Sequence, residues 1–473
     1  MNKRIGMMLL LAALSVGTQA KVRLHHLIGD NMVVQAASKV NLWGWDTPGK
    51  TVRVEVSWSA ARYSTVTDAE GKWLVQVETP EASYTPLSIT FDDGEKTTIN
   101  QVLAGQVWLW GGQSNMEMPV RGFGNCPVDQ YNQVVADAVH TSSIRYAKLK
   151  RTQSMTPLED NDCHWEKCDP DHVGNASATG YFFARLLHQM LDQPIGLIEA
   201  NQGGTAVEGW LDYDNLKKHT SEELDSVSIF KKNFMARQLV WGNGTFHPIL
   251  NYTVKGIIYY QGCSNVGRAP EKYAERLALL AEQWRKGFGL GNIPFYFVEI
   301  APYWYDDANG TAAAFLREQQ AKAVELIPNS AMVSTNDCVY PWEMRQIHPA
   351  QKQKVGERLA YHALTETYGF TGFISKSPRF QEMKIEGNQI YVKLTDTADG
   401  IYPIDGIQGF EVAGEDRVFH PAQAHVDWGK GLVVSCPEVA QPVALRYCYR
   451  NFLLGNLVNQ GGLPLVPFRT DQW

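Results

Sequence analysis

The stretch Val107-Trp108-Leu109-Trp110-Gly111-Gly112-Gln113-Ser114-Asn115-Met116-Glu117-Met118-Pro119 decides how this chain is read. Four large apolar residues in succession read as a strand buried on both faces, as in a parallel sheet. Two glycines end the run and a serine follows. Open α/β sheets bind ligands beyond the carboxyl ends of their strands, so Ser114 stands where a nucleophile would work, although spacing alone also suits a helix cap. The segment lacks the second glycine of the Gly-x-Ser-x-Gly elbow, which makes an α/β-hydrolase the weaker reading.

Outward from this strand, apolar segments at 195–200, 255–260, 295–300 and 331–334 are separated by helical stretches, the pattern of an α/β domain with a mostly parallel sheet over 103–370. Phe182, Phe183, Leu186, Leu187, Met190 and Leu191 form one apolar helical stripe that belongs to the core. Before this domain, segments 52–56, 73–77 and 87–91 alternate with period two, and Asp92-Asp93-Gly94 is a tight-turn signal. Residues 21–102 therefore read as an N-terminal β-sandwich-like region. Alternation returns at 389–394 and 443–449, so 371–473 reads as a C-terminal β region, and whether the two pack as one module stays open.

The chain has 473 residues, 44% hydrophobic and 20% charged, which suits a multidomain globular protein and excludes a disordered one. Its net charge of −7, with no long basic run, argues against nucleic acid as a partner. Lys3 and Arg4, the apolar run 5–14 and Thr18-Gln19-Ala20 read as a signal peptide over 1–20, with Lys21 as the mature start. That run is too short to span a bilayer, so no membrane insertion is expected and the mature chain is placed in a periplasmic or extracellular space. Seven cysteines there permit up to three disulfides, with Cys163/Cys168 and Cys436/Cys448 the nearest candidate pairs. Cys163, His164, Cys168 and His172 mimic metal-ligand spacing, but a local disulfide or free thiols fit better, and no metal is expected.

A serine nucleophile needs a base. Ile347-His348-Pro349 precedes a helical pattern from 350 to 367, which puts Pro349 in the first turn and His348 at the edge of a cleft. With an unperturbed pKa of ~6.5, an imidazole can take a hydroxyl proton at neutral pH and return it to a leaving group. Asn201-Gln202-Gly203-Gly204-Thr205 and Gln261 each follow an apolar strand. A backbone N–H at Gly203 or Gly204 and the Gln261 amide could join the Ser114 N–H in an oxyanion hole, though each segment alone also fits an ordinary turn.

The Gly-Gln-Ser-Asn-Met-Glu-Met-Pro stretch, Gly203-Gly204-Thr205 with Glu208 and Trp210, Tyr260-Gln261-Gly262 and Ile347-His348-Pro349 occur in the order seen in sialate O-acetylesterases of the SGNH-hydrolase superfamily. The flanks resemble that family too, in Val40-Asn41-Leu42-Trp43-Gly44-Trp45 and Gly409-Phe410-Glu411-Val412-Ala413-Gly414. The resemblance implies a three-layer α/β/α SGNH-hydrolase domain that removes O-acetyl groups from sialic acids without a cofactor. It makes Ser114 the nucleophile, His348 the general base, and Gly203 or Gly204 with Gln261 the oxyanion donors. Gln113, Glu208, Trp210 and Asn265 are candidates for shaping the sugar pocket.

Two positions depart from the family pattern. Gln346 stands where an acidic residue usually precedes the histidine by two, so Asp337 and Glu343 become candidate third members, beside a Ser-His dyad held by a backbone carbonyl. Cys263 replaces the usual Glu after Gln-Gly. The expected substrate is an acetylated sugar, a sialic acid first and acetylated xylan or another polysaccharide as the alternative. A noncatalytic carbohydrate-binding protein is the rival from another class.

Overall fold

The computed structural model describes residues 21–473, so the signal-peptide reading of 1–20 lies outside the described residues. Its spine is a 17-residue strand, β1 (Lys96–Gly112). The first part of β1 pairs with Ser83–Asp92 and Val33–Gln35 of the N-terminal region, and its last part is the middle of the central sheet. Position 102/103, read as a domain boundary, therefore falls inside one strand. Continuous β pairing welds the N-terminal strands to the α/β domain.

Beyond β1 come α1 (Ser114–Glu117), β2 (Ile144–Lys148), β3 (Trp165–Lys167), α2 (Ala178–Leu191) and β4 (Ile195–Asn201). Further along, after two short helices at Tyr213–His219 and Ser226–Lys231, are β5 (Gly256–Tyr260), α3 (Tyr273–Phe288), β6 (Phe295–Val298), α4 (Ala312–Leu326), β7 (Ser330–Val333) and α5 (Lys352–His362). The strand order is β3-β2-β4-β1-β5-β6-β7, parallel throughout except for the antiparallel edge pair β3/β2.

Alternate side chains of these strands enter two cores because successive residues point to opposite faces. Trp108, Trp110, Ile258 and Tyr260 pack with Phe182 and Phe183 of α2 and Val355 and Leu359 of α5. Val107, Leu109, Ile257 and Tyr259 pack on the other face with Leu277 and Trp284 of α3 and Leu316 of α4. The second core continues into Val52, Val54 and Phe91 of the N-terminal strands. The C-terminal region has two four-stranded antiparallel sheets around a core of its own, including Ile390, Val434, Val412 and Tyr447. The two β regions are thus separate packing units.

Two expectations change. The helix after His348 starts at Lys352 and ends at His362, with a π turn over Ala363–Thr367, so Pro349 lies before it. The reason is local: Gln351 has φ −77° and ψ 58°, outside the helical region, so the helix begins only after it, while the Ala350 N–H is taken by Glu343 Oε1 at 2.9 Å. All seven cysteines are free and buried, so neither candidate disulfide forms. Cys163 and Cys168 belong to the two different cores. In the same run His164 pairs with Glu166 and His172 with Asp169.

Candidate active site

The central strand ends at Gly112, whose φ of +143° is one that L side chains rarely adopt. A Cβ there would lie 2.3 Å from the Tyr260 carbonyl oxygen. Glycine thus allows the turn that places Ser114 at the start of α1, half-buried, with no capping bond from Gln113. The turn is tied to both neighbouring strands: Gln113 N–H donates to Tyr260 O at 3.0 Å, and Gln202 N–H to Gly112 O at 3.0 Å.

Of the two candidate glycines, Gly203 faces Ser114. A Cβ on it would stand 3.4 Å from Ser114 Cβ and 3.2 Å from Glu117 Oε2, whereas one on Gly204 would meet the Met235 side chain. The Gly203 N–H donates to Glu117 Oε2 at 2.6 Å, and Arg151 binds the other carboxylate oxygen. Glu117 therefore occupies the donor expected to receive an oxyanion.

Gln261 does not supply a donor. Its amide nitrogen is spent on Thr205 O at 3.0 Å and Asn265 Oδ1 at 2.8 Å, and Tyr273 OH donates to its Oε1. Buried amides satisfy their own groups first, because an unpaired one is costly, and here that makes Gln261 a strut. The same correction applies to three of the four pocket candidates. Gln113 accepts from Gly262 N–H at 2.9 Å, Asn265 bridges Val207 N–H and Glu208, and Trp210 is fully buried with its indole N–H on Thr205. Glu208, bound to Arg276, lines a cleft of about 430 Å³ with Leu216 and Gln238.

His348 lies on the irregular chain between β7 and α5. Its ring packs edge-on against Phe123 with centroids 5.1 Å apart. Nδ1 is 3.8 Å from Cys126 Sγ, and Nε2 is buried without a hydrogen-bond partner. Burial, reinforced by the Lys352 ammonium, lowers its pKa to about 4, so the imidazole stays neutral far below the ordinary range.

Neither candidate carboxylate completes a triad. Burial alone would raise the Asp337 carboxyl, but Arg358, bound to both its oxygens at 2.6 Å, holds it below the usual range and away from the histidine. Glu343 spends Oε2 on Tyr340 N–H and Oε1 on Ala350 N–H. Gln346 accepts from the His348 backbone N–H at 3.2 Å. The group at Nδ1 is the Cys126 thiol, which burial pushes up in pKa and so keeps protonated.

Asn115 links the two halves. Its Nδ2 donates to Ile347 O at 3.0 Å and its Oδ1 accepts from Lys352 Nζ at 2.7 Å. Lys352 is fully buried, and that burial draws its pKa down to about 8. Sequence reasoning had Asn115 in its motif without a role, and it missed Phe123, Cys126 and Lys352 entirely. Nothing in their spacing signals the contacts they make, because they meet His348 only through the fold.

A serine at the carboxyl end of a central parallel strand, tied through one asparagine to a half-buried neutral histidine, suits ester hydrolysis. The family model for carbohydrate esterases described as sialic acid-specific acetylesterase matches residues 104–365. Human sialate O-acetylesterase is 27% identical over 401 residues, covering 78% of this chain and 75% of the relative. The mouse protein of the same name is 26% identical, covering 82% and 81%. Among solved structures, a carbohydrate acetylesterase from Xanthomonas citri is similar at 31% identity and a TM-score of 0.83, covering 96% of this chain and all of that one.

The protein is therefore a carbohydrate esterase, a carboxylic ester hydrolase, and the noncatalytic alternative gives way. Within that class the chain belongs to the sialic acid-specific acetylesterase family.

Proposed function

We propose that the protein hydrolyses O-acetyl esters on sialic acids through an acetyl-enzyme on Ser114, with His348 as general base in a three-layer SGNH arrangement. The observation that carries this reading is the Asn115 bridge. One side chain next to the serine holds the carbonyl next to the histidine at 3.0 Å, so the two groups are positioned as a unit.

In the first step, neutral His348 accepts the Ser114 proton as the hydroxyl attacks the acetyl carbonyl. The developing oxyanion takes the Ser114 N–H, and Gly203 N–H joins it as Glu117 yields that donor. Collapse of the intermediate breaks the C–O bond to the sugar, whose alkoxide leaves with the proton from the imidazolium. Water then repeats the sequence on the acetyl-enzyme and releases acetate. The Cys126 thiol lies where a triad carboxylate would stand, so the base works as a dyad with a weak partner. Such a base gains little from its neighbour and relies on its unpaired Nε2.

Export through cleavage before Lys21 is part of the same proposal, and amino-terminal sequencing of the secreted protein checks it. The reaction is tested by acetate release from O-acetylated sialic acid and from acetylated xylan, with wild type and Ser114→Ala side by side. Release from the sialic acid, abolished by the substitution, is the expected result. Preference for xylan keeps the mechanism and moves the substrate, whereas activity surviving in Ser114→Ala sinks the assignment.

A further inference from the structure

We infer that the cleft beside Ser114 and His348 is a subsite for the carboxylate of an acidic sugar, held by Arg121 and Lys150. The inference rests on the esterase reading above and names what that site recognises besides the acetyl group.

The cleft has a volume of about 920 Å³, within the range that accommodates a sugar, and its lining includes Glu117, Arg121, Phe123, Lys148, Lys150 and Arg151. Two of these residues join it to the chemistry. Glu117 binds the Gly203 N–H next to the nucleophile, and Phe123 packs on the His348 ring. Neither Ser114 nor His348 lines the cleft itself, so a substrate seated here reaches the serine past Glu117, with its remaining polar groups among the cations.

The charges of the cleft do not cancel. Both of its acids are already answered: Glu117 by Arg151 and the Gly203 N–H, and Glu166 by the Tyr146 hydroxyl and His164. Lys148 reaches the Asn175 carbonyl at 3.3 Å and stands 3.7 Å from Glu199. Arg121, in contrast, has a neutral acceptor, Asn175 Oδ1 at 2.6 Å, and among the described residues no carboxylate. Among the described residues the exposed Lys150 side chain makes neither an ion pair nor a hydrogen bond.

Two uncompensated cations at one mouth focus a positive potential there and raise the local concentration of an anion, even though the whole chain carries −7. A guanidinium presents paired donors that match a carboxylate, and an ammonium adds a point charge. The carboxylate could belong to a sialic acid or to a uronic acid, since the chemistry at the cations is the same.

The experiment compares wild type with the double variant Arg121→Ala/Lys150→Ala on three substrates: O-acetylated N-acetylneuraminic acid, the same compound with its carboxylate converted to carboxamide, and acetylated galacturonic acid. The expected wild-type preference for acid over carboxamide is at least ~10-fold in kcat/KM, carried by KM and weakened by salt, and the double variant loses it. Preference for the galacturonate keeps the subsite and changes the source of the anion. Equal rates on acid and carboxamide, or a preference that survives in the double variant, overturn it. Should wild type release no acetate at all, the esterase reading fails, and calorimetry with N-acetylneuraminate decides the subsite. Binding lost in the double variant supports it, and absence of binding to wild type rejects it.

Discussion

Ser114 and His348 are held by two different kinds of support. The serine follows a strand with hydrogen-bonded neighbours on both sides as far as Gly112, opposite Asn201 on one side and Tyr260 on the other. The histidine sits on irregular chain held by single side chains: Asn115 on Ile347, Gln346 on His348 and Glu343 on Ala350. Main-chain ladders spread their load over many bonds and tolerate substitution. A loop pinned by individual side chains has a point of failure at each pin.

The contrast between the two supports breaks first, and most severely, at the serine. Ser114→Ala is expected to lower kcat about 10⁴-fold or more while thermal stability barely moves, because the proposed mechanism makes its hydroxyl a reacting group and the ladder stays intact. Acetate release and calorimetry read the two effects.

Asn115→Ala attacks the join between the halves. It strips the buried Lys352 ammonium of its acceptor and Ile347 of its donor, so about 2–4 kcal/mol of stability and roughly 100-fold in kcat/KM should go together. Urea unfolding and steady-state kinetics measure the pair; a loss of stability alone would mean that the histidine loop holds itself.

Gln261→Ala sharpens the contrast on the nucleophile side. Removing its bonds to Thr205, Asn265 and Tyr273 should cost about 2–4 kcal/mol, with kcat falling far less than the ~100-fold typical of a lost oxyanion donor. A 100-fold fall at unchanged stability would restore the amide to the catalytic machinery.

The pH profile tests the histidine side directly. With its pKa lowered to about 4, His348 remains neutral on mild acidification, so kcat/KM should be level from neutrality down to roughly pH 5 and fall near 4. An acid limb centred near the ordinary ~6.5 would show that the imidazole is solvated rather than buried. Stability has the matching sign. Between ~6.5 and 4 the unfolded chain binds a proton that folded His348 refuses, so stability falls as pH drops through this window and the loss levels off below about 4.

The smallest expected effect comes from Gln346→Asp. A carboxylate two residues before the histidine favours the imidazolium, and the acid limb should move up by about one unit. No movement in the limb would place position 346 out of electrostatic reach of the ring.

The two supports also differ in how far they could be read without a structure. Alternation of strand and helix, the buried strand at 107–110 and the paired glycines before Ser114 are local patterns, so the α/β domain and its β flanks were legible. The histidine was legible through its motif. Its neighbours were not: Cys126 and Phe123 are more than 200 positions away in the chain, with no periodicity that points to it. The candidates Trp210, Asn265 and Gln261 failed for the opposite reason. Their motif is real, but polar or aromatic type does not reveal whether a side chain faces a cleft or braces the wall behind it.

The sequence by itself determined the family, the order of elements, the turn that carries Ser114 and the candidate base, because residue type, periodicity and short motifs report local backbone demands. Only the tertiary structure decided that Gly203 faces Ser114, that Glu117 occupies its N–H, that a thiol stands at the histidine, and that Arg121 and Lys150 are left without carboxylate partners among the described residues. Those are questions of which distant groups meet and which donors are already spent, and burial and hydrogen bonding settle them only once the chain has folded.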